Sequence, residues 1–282
     1  MIFINGSIFN YKQWYPAYLS AFKELTNNNW SYLLYDYQGV GLSSFKKDKF
    51  SIEQLIDELK QIVDQLGLKK IHLFGTSKGT MVAQAFAGSY PDLVVSISGY
   101  GVLNMLSSPE ELSGLNKNIS ARVKAMEYFK DQYDERITEE NFFTIFEKVY
   151  VPAFFGTEYS NLGDDHKKRV DMLAGVMKPM LVGTPIGTMP LLFNYFAKDM
   201  FYDQALFEKY ISNLKNFKHI KWLNGTIDTT TPLDLVKKLV EKLPQSSLEV
   251  FENYGHIDPA LDKEKAVNVM KGYLDFLTKI QD

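Results

Sequence analysis

What most constrains this chain is a rhythm that runs through both of its ends and lapses in between. Short β-branched or aromatic runs alternate with amphipathic segments, the pattern of strand–helix units wound around a parallel sheet. Strands are predicted at residues 2–4, 32–35, 71–74 and 94–97, and helices at 14–25, 52–66 and 78–89. In the second helix Ile52, Leu55, Ile56, Leu59, Ile62, Val63 and Leu66 fall on one face, with Ser51 as N-cap. The rhythm stops near Asn104 and resumes near Lys218, with strands at 220–223 and 248–251 and helices at 233–243 and 263–280. Between them the periodicity is helical, broken at Pro109, Pro152, Gly156, Pro179, Pro185 and Pro190, and no strand pattern is clear. Two half-sheets flanking a helical block make one interrupted α/β core, residues 1–103 and 218–282, with 104–217 as an inserted helical subdomain. At 282 residues, one core with a large insertion fits better than two independent domains.

Several function classes fall away on composition. The 31 basic and 34 acidic residues leave a charge of −3, which suggests neither nucleic acid nor an anionic membrane surface as a partner. Cysteine is absent, so disulfides, thiolate metal sites and cysteine nucleophiles are excluded, in keeping with an expected cytoplasmic location. The histidines are His72, His166, His219 and His256, none paired at the i, i+4 spacing of a helical metal site; no metal or other cofactor is expected. The opening residues Met1-Ile2-Phe3-Ile4-Asn5-Gly6 lack a basic segment and the apolar length of a signal peptide. The later apolar stretch 180–193 is interrupted by Gly183, Pro185, Gly187 and Pro190, so no membrane span is expected.

The central chemical signal is Ile71-His72-Leu73-Phe74-Gly75-Thr76-Ser77-Lys78-Gly79, a strand running through Gly-x-Ser-x-Gly into an apolar helix. At so sharp a strand-to-helix turn the serine backbone is strained, and its glycine neighbours permit close approach without Cβ atoms. The helix begins at Lys78, so its first amides can stabilise a developing oxyanion. Alone the motif is common and often only a turn; its strand–turn–helix setting gives it weight.

A serine hydroxyl needs a base, and the base needs an orienting group. Phe251-Glu252-Asn253-Tyr254-Gly255-His256 puts His256 just past the last strand, whereas His72 lies within a buried strand pattern, His219 opens another and His166 sits in a charged run. For the acid, Trp222-Leu223-Asn224-Gly225-Thr226-Ile227-Asp228 ends a strand in Gly-x-x-Asp. Asp228 can accept the imidazole Nδ1–H; a turn or capping aspartate is the plainer alternative, though Thr230 or Thr231 can supply that cap. Asp258, two residues from His256, is the competing acid. Ser77, Asp228, His256 is also the chain order of one particular serine-hydrolase scaffold.

On these motifs the chain resembles the α/β-hydrolase superfamily over nearly its whole length outside the insertion. Phe3-Ile4-Asn5-Gly6-Ser7 is similar to the family's first oxyanion loop, commonly His-Gly, with Asn5 in place of the histidine. The resemblance implies backbone oxyanion donors at Ser7 and Lys78, with Ile8 replacing Ser7 if the loop is shifted. Asp36-Tyr37-Gln38-Gly39-Val40-Gly41-Leu42-Ser43 is similar to the family's Asp-x-Arg-Gly-x-Gly-x-Ser turn, a structural feature in which Gln38 stands at the usual arginine. Many members carry two strands before the oxyanion-loop strand; this sequence starts almost on it, so a sheet shorter at one edge is expected.

The insertion occupies the place of the family's lid. It holds Phe142, Phe143, Phe146, Tyr150, Phe154, Phe155, Phe193, Tyr195, Phe196, Phe201 and Tyr202, with Met172, Met177, Met180, Met189 and Met200. Most are expected to pack lid against core; their number also fits an apolar pocket for a small hydrophobic substrate. Arg122, Arg136 and Arg169 are scattered and form no phosphate-recognition cluster. The expected reaction is hydrolysis of a carboxylic ester, thioester or lactone with a hydrophobic acyl group, through an acyl-enzyme at Ser77. The alternatives are acyl transfer to another acceptor such as an acyl-carrier protein, a lyase step, or a receptor-like protein that binds a ligand with little turnover.

Overall fold

A computed structural model describes residues 1–45, 51–104, 130–132, 134–152, 157–188 and 204–280 of the chain. Six parallel strands form one sheet in the order β2-β1-β3-β4-β5-β6, made of Ile2–Ile4 (β1), Leu33–Leu34 (β2), Ile71–Thr76 (β3), Val94–Tyr100 (β4), Ile220–Gly225 (β5) and Ser247–Phe251 (β6). Alternation along each strand sends its side chains to two cores. Ile2, Ile4, Leu73, Ile97 and Trp222 face one apolar cluster with the helices Ile52–Gln65 (α2) and Lys78–Ser89 (α3). Phe3, Phe74, Tyr100 and Leu223 face the other, with Tyr18–Leu25 (α1) and the closing helix Lys263–Ile280. Burial on both faces is what a parallel sheet requires.

The predicted strands and helices are present, with differences at their ends. The helix expected at 14–25 is a 3-10 turn, Tyr11–Trp14, followed by α1. Pro16 has no N–H to continue a helical ladder, and Ala17 takes a non-helical φ of −138° before α1 begins. The strand expected at 32–35 is only two residues long, because the Tyr35 carbonyl accepts the Asn5 side-chain amide rather than a strand partner. Strands β3, β4 and β5 run two or more residues past the apolar stretches, through pairs such as Gly75↔Gly99 and Thr76↔Tyr100. A ladder made by backbone groups is invisible to hydropathy.

Between β4 and β5 the described residues include the helices Phe142–Ile145, continuing as a π-turn Phe146–Tyr150, Asp164–Leu181 and Gln204–Leu214. Phe142, Phe146, Tyr150 and Met177 join the core cluster, Met180 is buried, and Phe143 and Met172 are exposed. Phe154, Phe155, Met189, Phe193, Tyr195, Phe196, Met200, Phe201 and Tyr202 lie outside the described residues. Arg136 ties this region to the turn after β2, donating from Nη1 to the Gly41 and Gly183 carbonyls at 2.6 Å each and from Nη2 to Ser43 O at 3.2 Å. Among the described residues no helix is long and apolar enough to cross a membrane.

Candidate active site

In a parallel sheet all carboxyl ends lie on one edge, and the chain crosses from one side of β1 to the other between β2 and β3. The crevice at such a crossover, here between the loops after β1 and β3, is where open α/β sheets receive ligands. Ser7 follows β1 and Ser77 follows β3, so the fold puts both beside it.

Ser77 adopts φ 52°, ψ −120°, a conformation that side-chain-bearing residues rarely hold. The surrounding packing imposes it. A Cβ on Gly75 would stand 2.3 Å from the Gly79 backbone, one on Gly79 would stand 2.1 Å from Ile4 O, and one on Gly99 would stand 2.3 Å from Gly75 O. Only glycine at these positions lets the start of α3 press onto β1 and β4. The turn is locked by Ser77 N donating to Tyr100 O at 3.1 Å and by Thr80 N and Oγ1 donating to Ser77 O at 2.9 and 2.6 Å. Ser77 is half-buried and its side chain makes no capping bond to α3, so the hydroxyl is not used to hold its own helix.

The loops after β5 and β6 are joined to each other and to the end of β4. Thr226 N donates to Phe251 O at 3.0 Å, Asn253 N to Thr226 Oγ1 at 2.9 Å, and Tyr100 OH to Gly255 O at 2.9 Å. Gly225 makes the contact feasible, since a Cβ there would lie 1.9 Å from Tyr254 O. Across these loops Asp228 Oδ2 and His256 Nδ1 are 2.8 Å apart. The other bonds to Asp228 come from Thr230 N and Thr231 N to Oδ1, at 2.9 and 2.8 Å, and from Thr231 Oγ1 to Oδ2 at 2.6 Å. Burial pushes the Asp228 carboxyl up, but the neighbouring His256 and the hydrogen bonds from His256 and Thr231 outweigh it and hold the group below its ordinary value. The anion is therefore the settled state of this buried carboxylate, and it fixes His256 with Nδ1 inward.

The imidazole also abuts β4. A Cβ on Gly101 would stand 2.7 Å from His256 Cε1 and 2.9 Å from Nδ1, and Gly101 directly follows the residue whose carbonyl holds Ser77 N. The carbonyl that holds Ser77 N and the glycine that faces the His256 ring are thus consecutive residues at the end of β4. Gly101, with φ 65°, and Thr231 are the contributors sequence reasoning missed; the first gains its part only from the distant loop that brings His256 against it. Thr231 does not cap the next helix, nor does Thr230: the residue before Leu233–Lys242 is Pro232, and both threonines serve Asp228 instead.

The remaining residues singled out in the sequence are engaged elsewhere. Asp258 accepts from Gly255 N at 3.0 Å and pairs with Lys265, and is not bonded to His256. His72 Nδ1 lies 2.9 Å from Ser96 Oγ, and burial lowers its pKa to about 4. His219 contributes its carbonyl to Ile97 N, and His166 is exposed on a helix. Asn5, at the family's histidine position, donates to Tyr35 O at 2.9 Å and Asp36 Oδ1 at 3.1 Å, and accepts from Trp14 Nε1 at 2.7 Å. Gln38 bonds Gln54 and, through its own N–H, Glu58. Ser7 sits past β1, and Lys78 opens α3, whose next residue, Gly79, lies against Ile4 and Asn5. Among the described residues no group of three or more His, Asp or Glu side chains is arranged to hold a metal.

A family profile described as alpha/beta hydrolase fold matches residues 1–262. Among curated proteins, a proline iminopeptidase of Clostridium botulinum is 24% identical over 92% of this chain and 85% of its own length. Among solved structures, a thermophilic esterase from Thermogutta terrifontis superposes with a TM-score of 0.68 at 19% identity, covering 100% of this chain and 90% of its own. The enol-lactonase from Burkholderia xenovorans LB400 gives a TM-score of 0.66 at 18% identity, covering 98% and 90%. At these identities the structural likeness establishes the fold.

Proposed function

Because the chain belongs to the alpha/beta hydrolase fold family, we propose that it is a serine hydrolase that cleaves a carboxylic ester, thioester or lactone bearing a hydrophobic acyl group. Ser77 Oγ attacks the carbonyl while His256 Nε2 takes its proton. The same nitrogen returns that proton to the leaving group, and Asp228 keeps the ring in the required tautomer and stabilises the imidazolium. The N–H groups of Ser7 and Lys78 receive the oxyanion; one such donor is worth about 3–4 kcal/mol of barrier. Water then repeats the sequence on the acyl-enzyme and releases the acid. Transfer of the acyl group to an alcohol, an amine or a carrier-protein thiol is the variant outcome.

The observation that carries these roles is the 2.8 Å Asp228–His256 bond lying one residue from the carbonyl that anchors a serine held at φ 52°. Residues 104–217 are read as the lid, and their apolar content favours a hydrophobic acyl group. A second reading has its own support: proline iminopeptidases match this chain over 92% and 86% of its length, so the scissile bond could instead be the amide after an N-terminal residue.

One set of measurements tests both. A fluorophosphonate probe should add one equivalent of mass to the wild-type protein and none to Ser77→Ala; labelling that survives in the variant rejects Ser77 as nucleophile. Untreated wild-type protein is assayed separately on p-nitrophenyl esters of rising acyl length and on L-proline p-nitroanilide. Preference for the longer esters supports the first reading, preference for the anilide the second, and turnover of short polar esters alone overturns the hydrophobic assignment.

A further inference from the structure

Resting on the serine-hydrolase reading above, we propose that Tyr37 is a positioning residue for the oxyanion loop and that the side chain of Lys78 braces it. Tyr37 belongs to the turn after β2 and is 2% exposed, so its ring could be taken for simple core packing. Its hydroxyl has a more particular place. It donates to the Gly6 carbonyl at 2.7 Å and lies in hydrogen-bond contact with the Ser7 carbonyl as well.

Peptide planarity turns that contact into an orienting device. In a trans peptide the C=O of one residue and the N–H of the next point in opposite directions. With the Gly6 carbonyl held toward Tyr37, the Ser7 N–H is turned away from it; with the Ser7 carbonyl held there too, so is the Ile8 N–H. The two amides implicated as oxyanion donors are thus aimed together by one hydroxyl, whichever of them serves. Gly6 N donates to Gln13 Oε1 at 3.3 Å, fixing the peptide before them.

Lys78 closes the device from the other side of the crevice. Its backbone N–H is the second donor group, at the start of α3. Its side chain is 1% exposed, and Nζ stands 3.0 Å from the centroid of the Tyr37 ring without a hydrogen-bond partner among the described residues. A buried amine lacking an acceptor is an unfavourable choice for a core position unless the ring face is what it is there to meet. Burial lowers the Lys78 pKa well below its ordinary value, while Glu58 acts in the opposite direction. One residue therefore links the two halves of the oxyanion site, by its amide directly and through Tyr37 at a distance.

Tyr37→Phe is the decisive variant, since it keeps the ring, its packing and the Lys78 contact and removes only the hydroxyl. Fluorophosphonate labelling and p-nitrophenyl butyrate hydrolysis should both slow on the order of tenfold or more, with KM nearly unchanged. The preference for an ester over its thionoester, whose sulfur makes a poorer hydrogen-bond acceptor, should narrow. Circular dichroism and thermal melting confirm that the variant is folded. Lys78→Met, close in volume, should give a smaller loss of kcat with the same unchanged KM, and little further loss when added to Tyr37→Phe; it also provides the readout if Tyr37→Phe does not fold. Folded Tyr37→Phe with wild-type labelling rate, kcat and thionoester discrimination overturns the proposal. Failure of the wild-type protein itself to label at Ser77 rejects instead the hydrolase reading beneath it.

Discussion

At the scale of single residues, Asp228 shows how the fold sets a charge. Its carboxyl is buried, which raises its pKa, yet the neighbouring His256 and the hydrogen bonds from His256 and Thr231 outweigh burial and hold it below its ordinary value. The unfolded chain binds that proton more tightly than the folded one. The stabilisation is therefore complete above the unfolded value and is lost as pH falls through the lower, folded one. The difference in melting temperature between wild type and Asp228→Asn should accordingly be present near neutral pH and shrink as the pH falls through the acid range in which the folded carboxylate takes up its proton. A gap that stays constant down to pH 3 would mean that the carboxylate charge does not contribute. Asp228 and His256 were both visible in the sequence as residues after strands, each beside a glycine turn. Thr231 was visible only as a possible cap, because nothing local tells a threonine whether its hydroxyl will meet a backbone amide or a carboxylate.

At the scale of elements, the arrangement depends on where glycine allows two backbones to touch. Gly79 at the start of α3 rests on the carbonyl of Ile4, and an added Cβ would come within 2.1 Å of it. That neighbour is strand backbone and cannot move aside. Gly79→Ala should therefore push α3 off β1, costing about 1–3 kcal/mol of stability as overpacking does, and should reduce labelling of Ser77 more than it reduces folding. Gly175, in the helix Asp164–Leu181, has no atom within 4 Å of the same hypothetical Cβ. Gly175→Ala should be neutral or stabilising by up to about 1 kcal/mol, from helix propensity alone. Equal effects of the two substitutions in urea denaturation would refute the distinction. The Gly-x-Ser-x-Gly spacing marked Gly75 and Gly79 beforehand; Gly101 and Gly225 gained their meaning only from the loops that pack on them.

For the whole molecule, Arg136 is the clearest connection between the segment linking β4 to β5 and the sheet. One partly buried guanidinium donates to three carbonyls, on the turn after β2 and on the segment's own Gly183. Bonds from charged donors contribute about 1.5–3 kcal/mol each, so Arg136→Met should lower the thermal midpoint by several degrees at unchanged secondary structure. An unaltered midpoint would show that apolar packing alone secures the segment. The sequence had presented Arg136 only as one of three scattered arginines, since two of the carbonyls it meets belong to a turn almost a hundred positions earlier in the chain.

The sequence by itself determined the alternation of strands and helices, the interruption after β4 and the two-faced burial of a parallel sheet. Those properties follow from local periodicity and from backbone freedom at individual glycines. Tertiary structure alone decided that Asp258 turns to Lys265 while Asp228 turns to His256, that Tyr37 meets the carbonyls of Gly6 and Ser7, and that the Lys78 amine lies over that ring. Each of those contacts joins side chains on different loops at the carboxyl edge. Which of them meet depends on the relative height of neighbouring strands and the path of each turn, neither of which is written in the residues that make the contact.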